Sequence, residues 1–116
     1  MQKMITKAIE HKAPKLYATE GKEPEEIEII AHYFTSSFDW FMTELDPATG
    51  EAFGYVKNLT MPECSELGYF SIAEFDKYNK HAFAKGTRII DGHIYSTPII
   101  ERDLHFAHHT LADVAR

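Results

Sequence analysis

Three histidines near the C-terminal end, His105, His108 and His109, form the most ligand-like set in the chain. On a helix, His105 would share a face with both of the others and Glu101 would add a carboxylate. Zinc needs such convergent nitrogen and oxygen donors. The residues up to Phe106 read as extended, however, which scatters the set, and neither a cysteine partner nor a His-Glu-x-x-His motif accompanies it. The expectation is no metal and no cofactor, with a small metal-assisted hydrolase using these histidines as the alternative. Ser36, Ser37 and Cys64 lack the Gly-x-Ser-x-Gly elbow or the setting that activates a thiolate. No glycine-rich phosphate loop is present. Glu44 and Asp46 could share a proton, but they read more simply as solvated carboxylates at a sheet edge. No catalytic residue is assigned.

Recognition has better material. Tyr17 and Glu20 precede a polar loop, while Glu101 and Arg102 open the last extended stretch. One reading is a salt bridge tying the two ends of the chain. The other is a polar patch in which Arg102 grips a carboxylate or phosphate through two parallel bonds. Trp40 is either sheet packing or the aromatic anchor of an interface.

Charge sharpens this. The formal net charge of −6 is unevenly distributed. Residues 1–22 carry five lysines against two glutamates, and residues 77–116 six bases against four acids. Residues 23–76 carry twelve acids against Lys57 alone, a net of −11. Such a block lacks the basic footprint of a protein that contacts nucleic acid directly. It is either a solvated surface or a docking face for a basic protein. The expected binding residues are Tyr17, Glu20, Glu23, Glu25, Glu26, Glu28, Trp40, Glu101 and Arg102.

These residues must be held by one domain, because 116 residues leave no room for two ordinary ones. With 44% apolar and 13% aromatic residues, a folded core is expected rather than disorder. No apolar run is long enough to span a membrane. The N-terminus lacks the apolar stretch of a secretory signal, and a lone cysteine fits a reducing compartment, so the cytoplasm is the expected location.

The spacing of Ile5, Ala8 and Ile9 predicts a short helix over Met4 to His11, closed by Pro14. Ile27 to Phe34, apolar on both faces, predicts an inner strand. Phe38 to Leu45 follows as a strand, with Trp40 and Met42 on one face and Phe41 and Leu45 on the other. Asp46-Pro47-Ala48-Thr49-Gly50 has strong turn chemistry, so a hairpin over about 38–59 is expected. Leu67 to Phe70 reads as a short strand. Ser71 and Glu74 form the cap of a helix that ends before Gly86. Asp91-Gly92 predicts a two-residue hairpin. Ile99 to Phe106 is a final extended stretch, Thr110 to Arg116 reads as a terminal helical turn, and residues 107–116 as a loosely packed tail. The class is α+β: a mainly antiparallel sheet of about five strands with two or three short helices.

The segments Leu16-Tyr17-Ala18-Thr19-Glu20-Gly21, the strand Phe34 to Asp46, Phe53-Gly54-Tyr55-Val56, Glu66-Leu67-Gly68-Tyr69-Phe70-Ser71 and Ile100-Glu101-Arg102-Asp103-Leu104-His105-Phe106 occur in that order. Together they resemble a family of small bacterial proteins of unknown function, often carried on plasmids and mobile elements. The resemblance covers roughly residues 4 to 106 and departs at Arg88 to Tyr95, where the hairpin looks like an insertion. It implies an accessory role on a mobile element and assigns no catalytic residues. The resulting expectation is a non-enzymatic protein-binding module, anti-defence in its sharpest form, with an acidic face that mimics nucleic acid and a basic protein as partner.

Overall fold

The Thr6 hydroxyl accepts the N–H of Ile9 at 3.2 Å, and this cap opens α1, Lys7–Lys12. The helix starts later than expected; Met4 lies outside it yet is buried. The computed structural model describes residues 2–96 and 98–115. It is α+β, with a five-stranded antiparallel sheet, a separate two-stranded hairpin and three short helices.

The strands are β1 (Ala31–Phe34), β2 (Phe38–Asp46), β3 (Glu51–Asn58), β4 (Glu66–Ser71), β5 (Thr87–Ile90), β6 (His93–Ser96) and β7 (Glu101–Arg102). The main sheet runs β4-β3-β2-β1-β7. β2 and β3 form the expected hairpin: Asp46 accepts the Gly50 N–H on its carbonyl at 2.8 Å and the Ala48 N–H on its side chain at 3.1 Å. Gly50 closes the turn at φ 79°, a left-handed position that suits glycine. The stretch expected as one strand from Ile27 splits. Its first half pairs with the C-terminal segment, where Ile29 donates to the His109 carbonyl and Leu111 to the Ile27 carbonyl.

Helices α1 and α2 (Ile72–Lys85) cover one face of the sheet, burying Ala31, Tyr33, Met42, Leu45 and Ala52 with Ile9, Ile72 and Phe75. The other face buries Phe41 with Ile27, Ile29, Leu111 and Val114. The last two belong to α3 (Leu111–Val114), so residues expected as a helical turn or loose tail make the turn and pack it. Ser71 starts α2 by accepting the Glu74 N–H, and Gly86 ends it at φ 62°. Asp91-Gly92 joins β5 to β6, and both residues have positive φ, as a primed hairpin turn requires.

One departure from alternation decides the rest. Strict period-two geometry would send Glu44 into the helix-covered core beside Trp40 and Met42. Instead the register of β2 on β3 slips: Met42 lies opposite Gly54, and Glu44 lies opposite Phe53. Thr43 is the extra residue of this bulge, and its hydroxyl donates to the Phe53 carbonyl at 3.1 Å. Leu45 thereby joins Met42 and Trp40, correcting the expected grouping of Leu45 with Phe41. Glu44 turns to the opposite face. Bulges of this kind re-aim a side chain.

Candidate functional site

Glu44 is the most buried charged residue among those described, at 3% exposure. Its Oε1 accepts the Tyr17 N–H at 2.8 Å, and its Oε2 accepts both the Thr19 N–H at 3.0 Å and the Thr19 hydroxyl. A carboxylate in a strand thus replaces the strand partner that the 16–22 loop lacks. The loop folds on itself through short turns, with Ala18 donating to Lys15, Glu20 to Tyr17 and Lys22 to Thr19. Tyr17 sits at φ 73°, uncommon for any residue but glycine, and its bond to Glu44 holds it there.

Beneath this loop lies a cleft of about 380 Å³, walled by Tyr17, Ile27, Phe53, Leu67, Tyr69 and Leu111, with Thr43 and Glu44 at its base and Glu20 and Lys22 on its rim. Its open side is aromatic. Tyr69 packs edge-on against Phe53 at 4.9 Å and against Tyr17 at 6.4 Å. The neighbouring Tyr17 hydroxyl, aided by desolvation, pushes the Tyr69 hydroxyl up to about 12. Leu67 and Tyr69 are about half exposed. Glu44 already accepts three donors from its own chain, so its carboxylate is committed to holding the loop over an otherwise largely apolar cleft.

A second constellation lies on the same face near the opposite edge. The His32 ring stacks on Phe41 at 4.6 Å and 7°. Its Nε2 is 2.7 Å from Asp39 Oδ1, and its Nδ1 is 3.0 Å from Asp103 Oδ2. Both ring nitrogens are engaged, so the imidazole latches β1, β2 and the segment after β7 together. At Asp103, desolvation is the largest influence and raises the carboxyl. Hydrogen bonds from His32 and the His105 N–H, with the charges of both histidines, outweigh it and leave the group below the usual aspartate value.

The expected binding residues divide between several places. Tyr17 and Glu20 line the cleft. Glu23, Glu25 and Glu26 are exposed around the 3-10 turn Pro24–Glu26, whose Pro24 also lines it. Glu28 is instead ion-paired with Lys12 at 2.6 Å and lies 3.9 Å from His108. Trp40 packs on Phe75 at 4.7 Å, on the helix-covered face and away from the cleft. Glu101 is exposed on β7.

Arg102 makes no ion pair with Glu20; it joins the chain ends by donating its guanidinium to the Lys3 carbonyl at 2.8 Å. The three terminal histidines go to separate partners: His105 gives its N–H to Asp103, His108 faces Glu28, and His109 lies 3.7 Å from Asp113. Among the described residues no group of three or more His, Cys, Asp or Glu side chains converges to hold a metal.

Sequence reading missed Glu44, Phe53, Leu67 and Tyr69 as parts of one site. The available signal was the spacing of Trp40, Met42 and Leu45, apolar positions that no regular strand places on one face. No family model matches the chain, and no curated protein or solved structure matches it either.

Proposed function

We propose that this protein is a non-enzymatic binding module that docks a basic protein segment on the cleft face of its sheet. The observation that carries the reading is an apolar cleft, propped open by a fully hydrogen-bonded buried carboxylate, beside the exposed acids Glu20, Glu23, Glu25 and Glu26. Covering the exposed halves of Leu67 and Tyr69 would contribute roughly 1 kcal/mol each. The acids would mainly set association rate and partner choice.

The resemblance carried by Leu16 to Gly21 and Glu101 to Phe106 supports a mobile element as the setting. Nucleic-acid mimicry draws less support, because Asp39 is held by His32, Glu44 is buried and Glu28 is paired with Lys12. A short acidic patch suits a single basic segment better than a long channel.

The test is hydrogen-exchange mapping of the full chain, alone and with a partner captured from the host cell and purified. Slowed exchange over residues 17–26 and 67–69 is the expected result. Slowed exchange confined to α2 would contradict the reading.

A further inference from the structure

The two edges of the main sheet are finished differently. At the β7 edge, Asp103 donates its N–H to the His32 carbonyl, so the bonded pairs on β1 are 32/103 and 34/101. Arg102, the residue between, therefore turns its own N–H and C=O outward. Both are capped by the Gln2 side chain, which accepts from the Arg102 N–H at 2.7 Å and donates to the Arg102 carbonyl at 2.9 Å. One edge is thus closed by a side-chain amide.

The β4 edge has no such cap among the described residues. Ile72 donates to the Gly50 carbonyl at 2.8 Å, and the antiparallel register continues from that pair through Ala52↔Phe70, Gly54↔Gly68 and Val56↔Glu66. Bonded and non-bonded pairs alternate. Leu67 and Tyr69 fall between the bonded pairs, so their N–H and C=O groups point away from β3. β4 is the last strand of the sheet, and these same two residues put their side chains into the cleft. An uncapped edge and a side-chain pocket occur at one place, the two parts of recognition by strand addition.

Resting on the docking reading above, we propose that β4 takes an extended basic peptide as a sixth strand, with an apolar side chain of that peptide seated in the cleft. Charge selects this occupant. Glu63 and Glu66 are exposed at the start of the edge, and Glu20 and the acids around Pro24–Glu26 flank the cleft, against Lys22. A second copy pairing β4 on β4 would bring two acidic rims together, whereas a peptide whose apolar side chains enter the cleft sets its alternate, cationic side chains on the other face of the strand, where Glu66 is exposed.

The probe is a capped seven-residue peptide alternating lysine with leucine, titrated into the 15N-labelled full chain. Two further versions carry N-methyl groups on all leucines or on all lysines. Side chains of directly opposed antiparallel residues share a face, so the leucines would lie opposite Leu67 and Tyr69 and bond to them. Methylating the leucines should weaken binding at least tenfold, methylating the lysines should leave it within about twofold, and replacing lysine by glutamate should abolish it. Leu67→Pro removes an outward N–H without touching the bonds to β3 and should match the leucine-methylated result, while Leu67→Ala should weaken binding less.

Equal binding of both methylated peptides, with shifts still centred on the cleft, would overturn strand addition and leave the docking reading intact. No binding of the lysine–leucine peptide would overturn the basic-peptide assignment. A dimer of the free chain that Leu67→Pro disperses would replace the peptide by a second copy.

Discussion

The Glu44 carboxylate and the Thr19 N–H meet at 3.0 Å although 25 residues separate them in the chain. This bond, with those from the Tyr17 N–H and the Thr19 hydroxyl, fastens the loop that forms one wall of the cleft. Replacing Glu44 by Ala strands the Tyr17 and Thr19 donors and frees Tyr17 from its left-handed backbone. A loss of roughly 2–4 kcal/mol in urea unfolding is expected. Faster amide exchange confined to residues 16–22 should accompany it. Unchanged stability would mean that the loop holds itself.

Gly54 is the residue that lets β3 approach the bulge. A Cβ there would meet the Phe41 carbonyl oxygen at 1.8 Å. Gly54→Ala should therefore cost on the order of 1–3 kcal/mol or more by forcing the strands apart. It should also disturb the Tyr69 and Phe53 ring signals, which Gly68→Ala, with nothing within 4 Å of its added methyl, should leave in place.

Asp103 supplies a pH dependence with a definite sign. Its folded pKa lies below the ordinary value of 3.8, so the unfolded chain binds the proton more readily. The resulting stabilisation is complete above 3.8 and is lost as pH falls through the lower folded value. Asp103→Asn should narrow the stability difference between pH 6 and pH 2.5 relative to the parent chain, measured by denaturant unfolding. An identical slope in the two chains would remove the latch from the account.

The influence of Tyr17 on Tyr69 can be read by titrating Tyr69. The Tyr17 hydroxyl is the largest cause of the raised Tyr69 pKa of about 12. Tyr17→Phe should bring the Tyr69 titration back toward 10, followed by phenolate absorbance or by the ring shifts of labelled tyrosine. A Tyr69 that still ionises near 12 in this variant would show that the Tyr17 hydroxyl does not raise it.

Elements with local chemistry were legible in the sequence. The Asp46 to Gly50 turn, the Ser71 cap and the Asp91-Gly92 hairpin each carry their signal within five residues, and all form where expected. The candidate site was not legible because it depends on one inserted residue. Thr43 shifts the face of every later side chain in β2, and nothing in Phe41-Met42-Thr43-Glu44-Leu45 marks the slip except the resulting apolar spacing. The His32 latch was equally hidden, since Asp39 reaches the ring from β2 and Asp103 from the segment after β7. Of the twelve acids in residues 23–76, Glu44 lies inside, held by the loop it fastens, which the charge count alone does not mark.

The central claim is that the cleft and its acidic rim act together as a docking face. The most direct measurement is the dissociation constant of a purified, captured partner across a salt series. It should be made for the parent chain, for Tyr69→Ala, for Glu20, Glu23, Glu25 and Glu26 changed together to Gln, and for the surface control Lys80→Ala. The account predicts affinity that falls as salt rises, a shallower salt dependence in the four-glutamine variant, a loss of about tenfold or more in Tyr69→Ala, and no change in the control. Binding that ignores salt, the four substitutions and Tyr69 alike would contradict it.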